Sequence, residues 1–156
     1  MTDDLVVVTN GPEETRSFAE RLGKLLRAGD TLCLTGGLGA GKTTFTQGLA
    51  IGLGLPPDHT VNSPTYTLVA EHPGGRAPLY HFDVYRLADA RELYDLAFDE
   101  YLDGSGVTVI EWADKITNAL PTNRLDITIE TNSLESRRLT LTPCGDRAKL
   151  ILAGLQ

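Results

Sequence analysis

Gly36-Gly37-Leu38-Gly39-Ala40-Gly41-Lys42-Thr43 decides how this 156-residue chain folds. It stands between an apolar run, Thr31-Leu32-Cys33-Leu34-Thr35, and the segment Thr44-Phe45-Thr46-Gln47-Gly48-Leu49-Ala50. Glycine, four residues, then Gly-Lys-Thr is the spacing of a phosphate-binding P-loop. A nucleoside triphosphate brings several negative charges, which such a loop meets with backbone N–H groups. Glycine lets the main chain curl tightly and approach phosphate with no Cβ in the way. The nucleotide-binding candidates are Gly36, Gly37, Leu38, Gly39, Ala40, Gly41, Lys42, Thr43 and Thr44. Lys42 would reach the β- and γ-phosphates and act in catalysis, and the Thr43 hydroxyl would bind Mg²⁺. A helix opening near Gly41 adds the positive end of its dipole. Strand before and helix after point to a nucleotide-binding α/β protein.

Composition narrows the partners. The length suits one domain spanning residues 1–156, and 41% hydrophobic residues is ordinary for a soluble globule. No apolar run approaches membrane-spanning length, and Met1-Thr2-Asp3-Asp4 is acidic, unlike a signal peptide. Cys33 and Cys144 lack metal-like spacing and read as buried or incidental thiols in a reducing cytoplasm. A net charge of −7 is poorly suited to holding nucleic acid directly, because phosphate contacts dominate that affinity. Any RNA in the function is expected to reach this chain through another protein.

Outward from the loop, residues 5–9 read as a strand closed by Asn10-Gly11-Pro12. Pro12, Glu13 and Glu14 open an amphipathic helix to about residue 26, with Phe18, Leu22, Leu25 and Leu26 on its apolar stripe. The helix after the P-loop buries Phe45, Leu49 and Leu53 and ends between Gly52 and Pro56. Pro64 forces Ser63 out of the helical region, so residues 58–67 are expected to be extended and exposed before a strand over 67–70. Hydroxyls at Ser63, Thr65 and Thr67 fit a switch segment that senses a γ-phosphate; an ordinary polar loop has the same composition. Pro73-Gly74-Gly75 turns that strand back into residues 79–85, a hairpin that would make the sheet mixed. Asp89 and Glu92 resemble a capping box opening one helix with Ala90, Leu93, Ala97 and Tyr101 on a face. Residues 107–112 form another strand, Pro121 closes a short link, and two alternating strands follow over 125–130 and 138–142. A short helix from Asp146 ends the chain. About seven strands and flanking helices predict a central mixed, mainly parallel sheet.

A P-loop needs an acid at the tip of a neighbouring strand, to hold Mg²⁺ or polarise water. Glu111 ends the apolar run Val107-Thr108-Val109-Ile110, and Asp83 ends Tyr80-His81-Phe82. A carboxylate at a buried strand's tip is costly unless it has a job. Trp112, beside Glu111, is expected to be partly exposed, stacking on a partner or capping the core. His81 reads as a packed surface histidine. No Asn/Thr-Lys-X-Asp element is present to read guanine, and Asp103-Gly104-Ser105-Gly106 precedes its strand instead of following one, so ATP is the expected nucleotide.

Four pieces together resemble one family. They are Leu38-Gly39-Ala40-Gly41-Lys42-Thr43-Thr44-Phe45, Ser63-Pro64-Thr65-Tyr66-Thr67-Leu68-Val69, Tyr80-His81-Phe82-Asp83-Val84-Tyr85-Arg86-Leu87 and Ile110-Glu111-Trp112. In order and spacing they are similar to the TsaE (YjeE) family, small bacterial ATPases of tRNA threonylcarbamoyladenosine synthesis. The resemblance implies a three-layer α/β P-loop NTPase fold and a cytoplasmic role in modifying the adenosine beside the anticodon. It implies the TsaB–TsaD complex as partner, with tRNA met only through that complex. On the matching positions, Lys42 and Thr43 would bind phosphate and Mg²⁺ and Glu111 would complete the metal site. Asp83 would act near the γ-phosphate, with Thr65 in the switch-like loop. The family usually carries an acid at the position of Gly37, a glycine at Ala97 and an aromatic at His72. Two rivals remain from the residues alone: a small-molecule P-loop kinase, which commonly adds a lid and an arginine cluster, and a nucleotide switch whose hydrolysis is incidental.

Overall fold

The computed structural model describes residues 3–37, 39–87 and 91–156. Seven strands form one sheet: β1 (Leu5–Thr9), β2 (Thr31–Thr35), β3 (Val69–His72), β4 (Leu79–Asp83), β5 (Val107–Glu111), β6 (Arg124–Thr131) and β7 (Arg137–Cys144). Their order is β1-β7-β6-β2-β5-β4-β3. β2 pairs in parallel with β5 and β6, and β4 pairs in parallel with β5. The outer pairings, β1–β7, β6–β7 and β3–β4, are antiparallel. The sheet is therefore mixed, with its parallel pairings gathered at the centre and equal in number to the antiparallel ones. The hairpin through Pro73-Gly74-Gly75 forms as expected.

Alternation along the strands divides the core in two. Leu32 and Leu34 face helices α1 (Pro12–Leu25), α2 (Lys42–Gly52) and α5 (Asp146–Leu155), while Cys33 faces the other side. Each fully buried Leu or Phe contributes about 1.5–3 kcal/mol, so the larger cluster, with Leu22, Phe45, Leu49 and Ile127, carries most of the stability. The second layer is thinner. Leu93, Phe98 and Ile116 cover Tyr80, Phe82 and Ile110 on the β4, β5 and β2 side.

α1 and α2 meet backbone to backbone. A Cβ at Gly48 would lie 2.4 Å from the Arg16 carbonyl oxygen, and one at Gly52 would lie 2.3 Å from that of Glu20. Arg76 then ties the two helix ends, donating to the carbonyls of Gly23 (2.9 Å), Leu26 (2.7 Å) and Gly52 (3.3 Å). The helix that starts at the P-loop is thus anchored along its length and at its far end.

Three expectations change. The helix expected across residues 90–101 is two short ones, α3 (Arg91–Asp95) and α4 (Phe98–Tyr101), separated by Ala97 in the left-handed region at φ 55°, ψ 43°. Leu93 and Phe98, five residues apart, would point away from each other on one helix; the break brings both into the same cluster. The Asp89 and Ala90 portion of the proposed cap lies outside the described residues. The strand expected from Thr67 starts at Val69, because residues 65–67 form a turn closed by Leu68 N–H donating to Pro64 O at 2.8 Å. The link before Pro121 is a 3-10 helix, Ala113–Ala119, which buries Ile116 under the sheet.

Candidate functional site

The central strands all end at one edge. β2 runs out of the sheet into the P-loop, and its neighbour β5 ends at Glu111, paired with Leu34. One strand further, β4 ends at Asp83, directly opposite Glu111. Ligands of open α/β sheets sit in such a crevice at the carboxyl ends of strands. Each acid is buried, Asp83 at 2% and Glu111 at 2% exposure.

The loop itself is bent by glycine. Gly39 and Gly41 take positive φ of 75° and 109°, and a Cβ on either would meet nothing within 4 Å. That open side is the cradle a phosphate needs. Gly36 is glycine for another reason, since a Cβ there would come within 2.6 Å of the Ile129 carbonyl oxygen on β6. Gly41 is the N-cap of α2 and no side chain caps that end, so its first N–H groups remain available to an anion. Arg137, at the start of β7, holds the loop from outside, donating to Ala40 O at 3.0 Å and Gly39 O at 3.4 Å. Nothing in the sequence pattern pointed to it, because its contact spans 97 residues.

Lys42 is curled into the loop. Its Nζ donates to Gly36 O and Gly37 O, each at 2.8 Å, and lies 3.9 Å above the Trp112 ring centre. Burial pulls its ammonium below the ordinary lysine range, while Glu111, Asp83 and Asp114 oppose that pull. Trp112 itself is half-buried, as expected, and holds a left-handed φ of 63°, a conformation costly for a bulky residue and concentrated at functional sites. Its ring also packs on Tyr85, 4.7 Å between centres.

Asp83 ties the downstream loop to the strand edge. Its Oδ2 accepts from Ser63 Oγ and from Thr65 Oγ1 at 3.1 Å, and its Oδ1 accepts from the Tyr85 N–H at 2.9 Å. Glu111 accepts from His81 Nε2. His81 is therefore not a surface histidine: it is fully buried, because strand β4 is covered on both faces. The usable signal was its position two residues before Asp83, which places it on the same strand face as that acid.

A cavity of about 420 Å³ joins these groups. Of the expected residues, Gly39, Gly41, Lys42, Thr43, Thr44, Thr65, Asp83 and Glu111 line it, joined by Ser63, Tyr85 and Trp112. Gly36, Gly37 and Ala40 are not among the residues lining it, and Leu38 lies outside the described residues. Thr43 and Glu111 offer hard oxygen donors, the kind Mg²⁺ takes, alongside the phosphates of a nucleotide. Among the described residues no three His, Cys, Asp or Glu side chains form a metal cluster. A second cavity, about 460 Å³, lies beneath the opposite edge. Its Arg147 and Arg124 are already paired with Asp30 and Asp126, each at 2.9 Å. That cavity is a poor phosphate site.

The chain is similar in sequence and fold to known proteins. Residues 9–139 match the family model described as threonylcarbamoyl adenosine biosynthesis protein TsaE. The chain is 46% identical over 143 residues to the Bacillus subtilis tRNA threonylcarbamoyladenosine biosynthesis protein TsaE, covering 92% of this chain and 88% of that protein. It is 38% identical over 134 residues to the protein of the same description from Treponema pallidum, covering 86% and 97%. The crystal structure of Bacillus subtilis YdiB superposes with a TM-score of 0.86 at 40% identity, over 99% of this chain and 95% of that one.

Proposed function

The chain belongs to the TsaE family, and from that premise we infer that it is a Mg²⁺-dependent ATPase of tRNA threonylcarbamoyladenosine biosynthesis. One observation carries the reading: Lys42 and Thr43 share a cavity with Asp83 and Glu111, the adjacent ends of two parallel strands. Backbone N–H groups of residues 39–44 and the Lys42 ammonium would bind the β- and γ-phosphates. Thr43 and Glu111 would hold Mg²⁺, which when bound supplies positive charge against the phosphate oxygens. Asp83 would orient a water whose oxygen forms the new bond to the γ-phosphorus as the bond to the bridging oxygen breaks, leaving ADP and phosphate. Thr65, hydrogen-bonded to Asp83, would make the loop over residues 63–67 responsive to that event.

Hydrolysis with no acceptor is useful only if it drives a change in something else. The partner we propose is the TsaB–TsaD complex, with tRNA engaged through it, in the cytoplasm, and with residues 1–156 acting as one P-loop domain. Among the described residues no helix is long and apolar enough to cross a membrane. The test is phosphate release by the purified chain with ATP and Mg²⁺, then with TsaB and TsaD added. Slow release alone, an ATP-favoured complex and repeated tRNA modification that needs both this chain and ATP are expected. Lys42→Ala should lower hydrolysis by at least about tenfold while the chain stays folded, since positioned charge is the main device in phosphoryl transfer. Wild-type turnover in that variant would overturn the active-site assignment, and indifference of TsaB and TsaD to this chain would overturn the pathway.

A further inference from the structure

The chain has three histidines, and the fold sets them in one row that ends on Glu111. His59, half-buried in the loop after α2, has its Nε2 2.8 Å from Nδ1 of His72, at the end of β3. The His72 ring lies 6.5 Å from the His81 ring, centre to centre, inclined by 37°. His81 Nε2 in turn donates to Glu111 Oε2. His72 is 8% exposed and His81 fully buried.

Among the described residues, only two buried side-chain nitrogen or oxygen atoms lack a hydrogen-bond partner, and both belong to this row: His72 Nε2 and His81 Nδ1. Leaving such an atom unpaired is costly. Two imidazoles whose centres are 6.5 Å apart cannot bond directly, because a direct bond needs about 3 Å between nitrogens. A single water reaching both unpaired nitrogens would satisfy them. Its hydrogen bonding is consistent throughout. A carboxylate only accepts, so His81 Nε2 carries a hydrogen, and a water satisfies Nδ1 whether that atom is a lone pair or an N–H. In a neutral ring, the Nε2 of His72 is a donor where His59 Nε2 donates to its Nδ1 and an acceptor where that Nδ1 donates, and a water meets either.

We propose that His81 is a positioning residue for Glu111, and that a buried water shared with His72 fixes the His81 ring. The proposal rests on reading Glu111 as the Mg²⁺ ligand. A strand-end glutamate has three side-chain torsions, and a donor held from behind restricts which of them it samples. Partners that orient a metal ligand in this manner typically change metal affinity by about 10–100-fold when removed. His72 supplies a ring nitrogen that a phenyl ring would not, so the shared water depends on it.

The test has two arms. In the full-length chain labelled with ¹⁵N-histidine and without added nucleotide, two-bond N–H correlation spectra should show His81 Nε2 protonated and its Nδ1 hydrogen-bonded. A cross-peak from His81 to a slowly exchanging water should be present, and absent in His72→Phe. In the second arm, Mg²⁺ is titrated calorimetrically into the ADP-saturated chain. His81→Leu should raise the Mg²⁺ Kd about tenfold while ADP affinity without Mg²⁺ stays unchanged. His81→Gln, which can still donate to Glu111, should restore most of the loss. A bare His81 Nε2, no bound water, or an unchanged Mg²⁺ Kd in folded His81→Leu alongside a raised one in Glu111→Ala overturns the proposal alone. An unchanged Kd in Glu111→Ala overturns the metal reading and the proposal together. Should His81→Leu fail to fold, the spectra of the unmodified chain and the His81→Gln titration still decide.

Discussion

Lys42 holds three contacts that a nucleotide would replace: two P-loop carbonyls and the face of Trp112. Phosphate oxygens offer that ammonium full negative charge, where the carbonyls offer dipoles and the ring a quadrupole. Binding of ATP should therefore draw Nζ off the indole. Trp112 is the chain's one tryptophan, so its emission should change when Mg²⁺·ATP is added, and the change should be largely lost in Lys42→Ala at saturating nucleotide. An emission response equal in both proteins would mean the lysine does not leave the ring. The two acids separate by the same kind of reasoning. Glu111→Ala removes a proposed metal ligand, so more Mg²⁺ should be needed to support nucleotide binding. Asp83→Ala should leave Mg²⁺·ADP affinity nearly intact and lower hydrolysis, since ADP has no γ-phosphate for it to serve. Titrating Mg²⁺ against ADP binding in both variants reads this directly, and the reverse pattern would exchange their roles.

At the scale of the element, the break between α3 and α4 stores a cost that can be measured. Ala97 sits at φ 55°, where an L-residue with a Cβ is disfavoured by about 1–2 kcal/mol and glycine is not. Ala97→Gly should stabilise the chain by about 1 kcal/mol, less the extra freedom glycine gains on unfolding. For a chain of this size that is a rise in Tm of about 2–4 °C, read from a thermal melt; a fall in Tm would place the strain elsewhere. The break was hidden in the sequence because Ala90, Leu93, Ala97 and Tyr101 keep helical spacing straight across it. What gives it away is tertiary: Phe98 must meet Phe82 edge to face, 5.2 Å between centres, while Leu93 enters the same cluster. The P-loop was legible for the opposite reason. Its spacing is dictated by phosphate geometry and owes nothing to distant packing, so Gly39, Gly41, Lys42 and Thr43 line the cavity as read. The strand-tip acids were legible as single residues, but their direct pairing across β4 and β5 follows from strand order, which no local pattern encodes. His81 was misread because a three-residue run around it does not reveal that both faces of its strand are covered.

At the scale of the molecule, the question is how chemistry at the loop would reach a partner. On the proposed reading tRNA is met through a partner complex, as a net charge of −7 favours, so the output would be a change in protein surface. The segment over residues 63–67 is built for that. Its inner end is tied to Asp83 through Ser63 and Thr65, and its outer end shows Tyr66, 84% exposed, with the Arg86 guanidinium 4.8 Å from the ring centre. Leu68, which closes the turn, takes a φ of 69°, a strained value for leucine. A γ-phosphate oxygen is also an acceptor, so it would compete with the Asp83 carboxylate for the Ser63 and Thr65 hydroxyls and release or re-seat the loop that displays Tyr66. Thr65→Ala removes one of the two hydroxyl bonds to Asp83 without touching the P-loop or the proposed metal ligands. Nucleotide affinity should therefore change little, by less than about threefold, since the lost bond runs to Asp83 and not to the nucleotide, and water can replace it in an open cavity. The preference of the TsaB–TsaD complex for the ATP form over the ADP form should fall more steeply. Measuring both affinities in the same variant decides it: a loss confined to nucleotide binding would make Thr65 part of the nucleotide pocket, and a loss confined to the partner would make it the coupling residue.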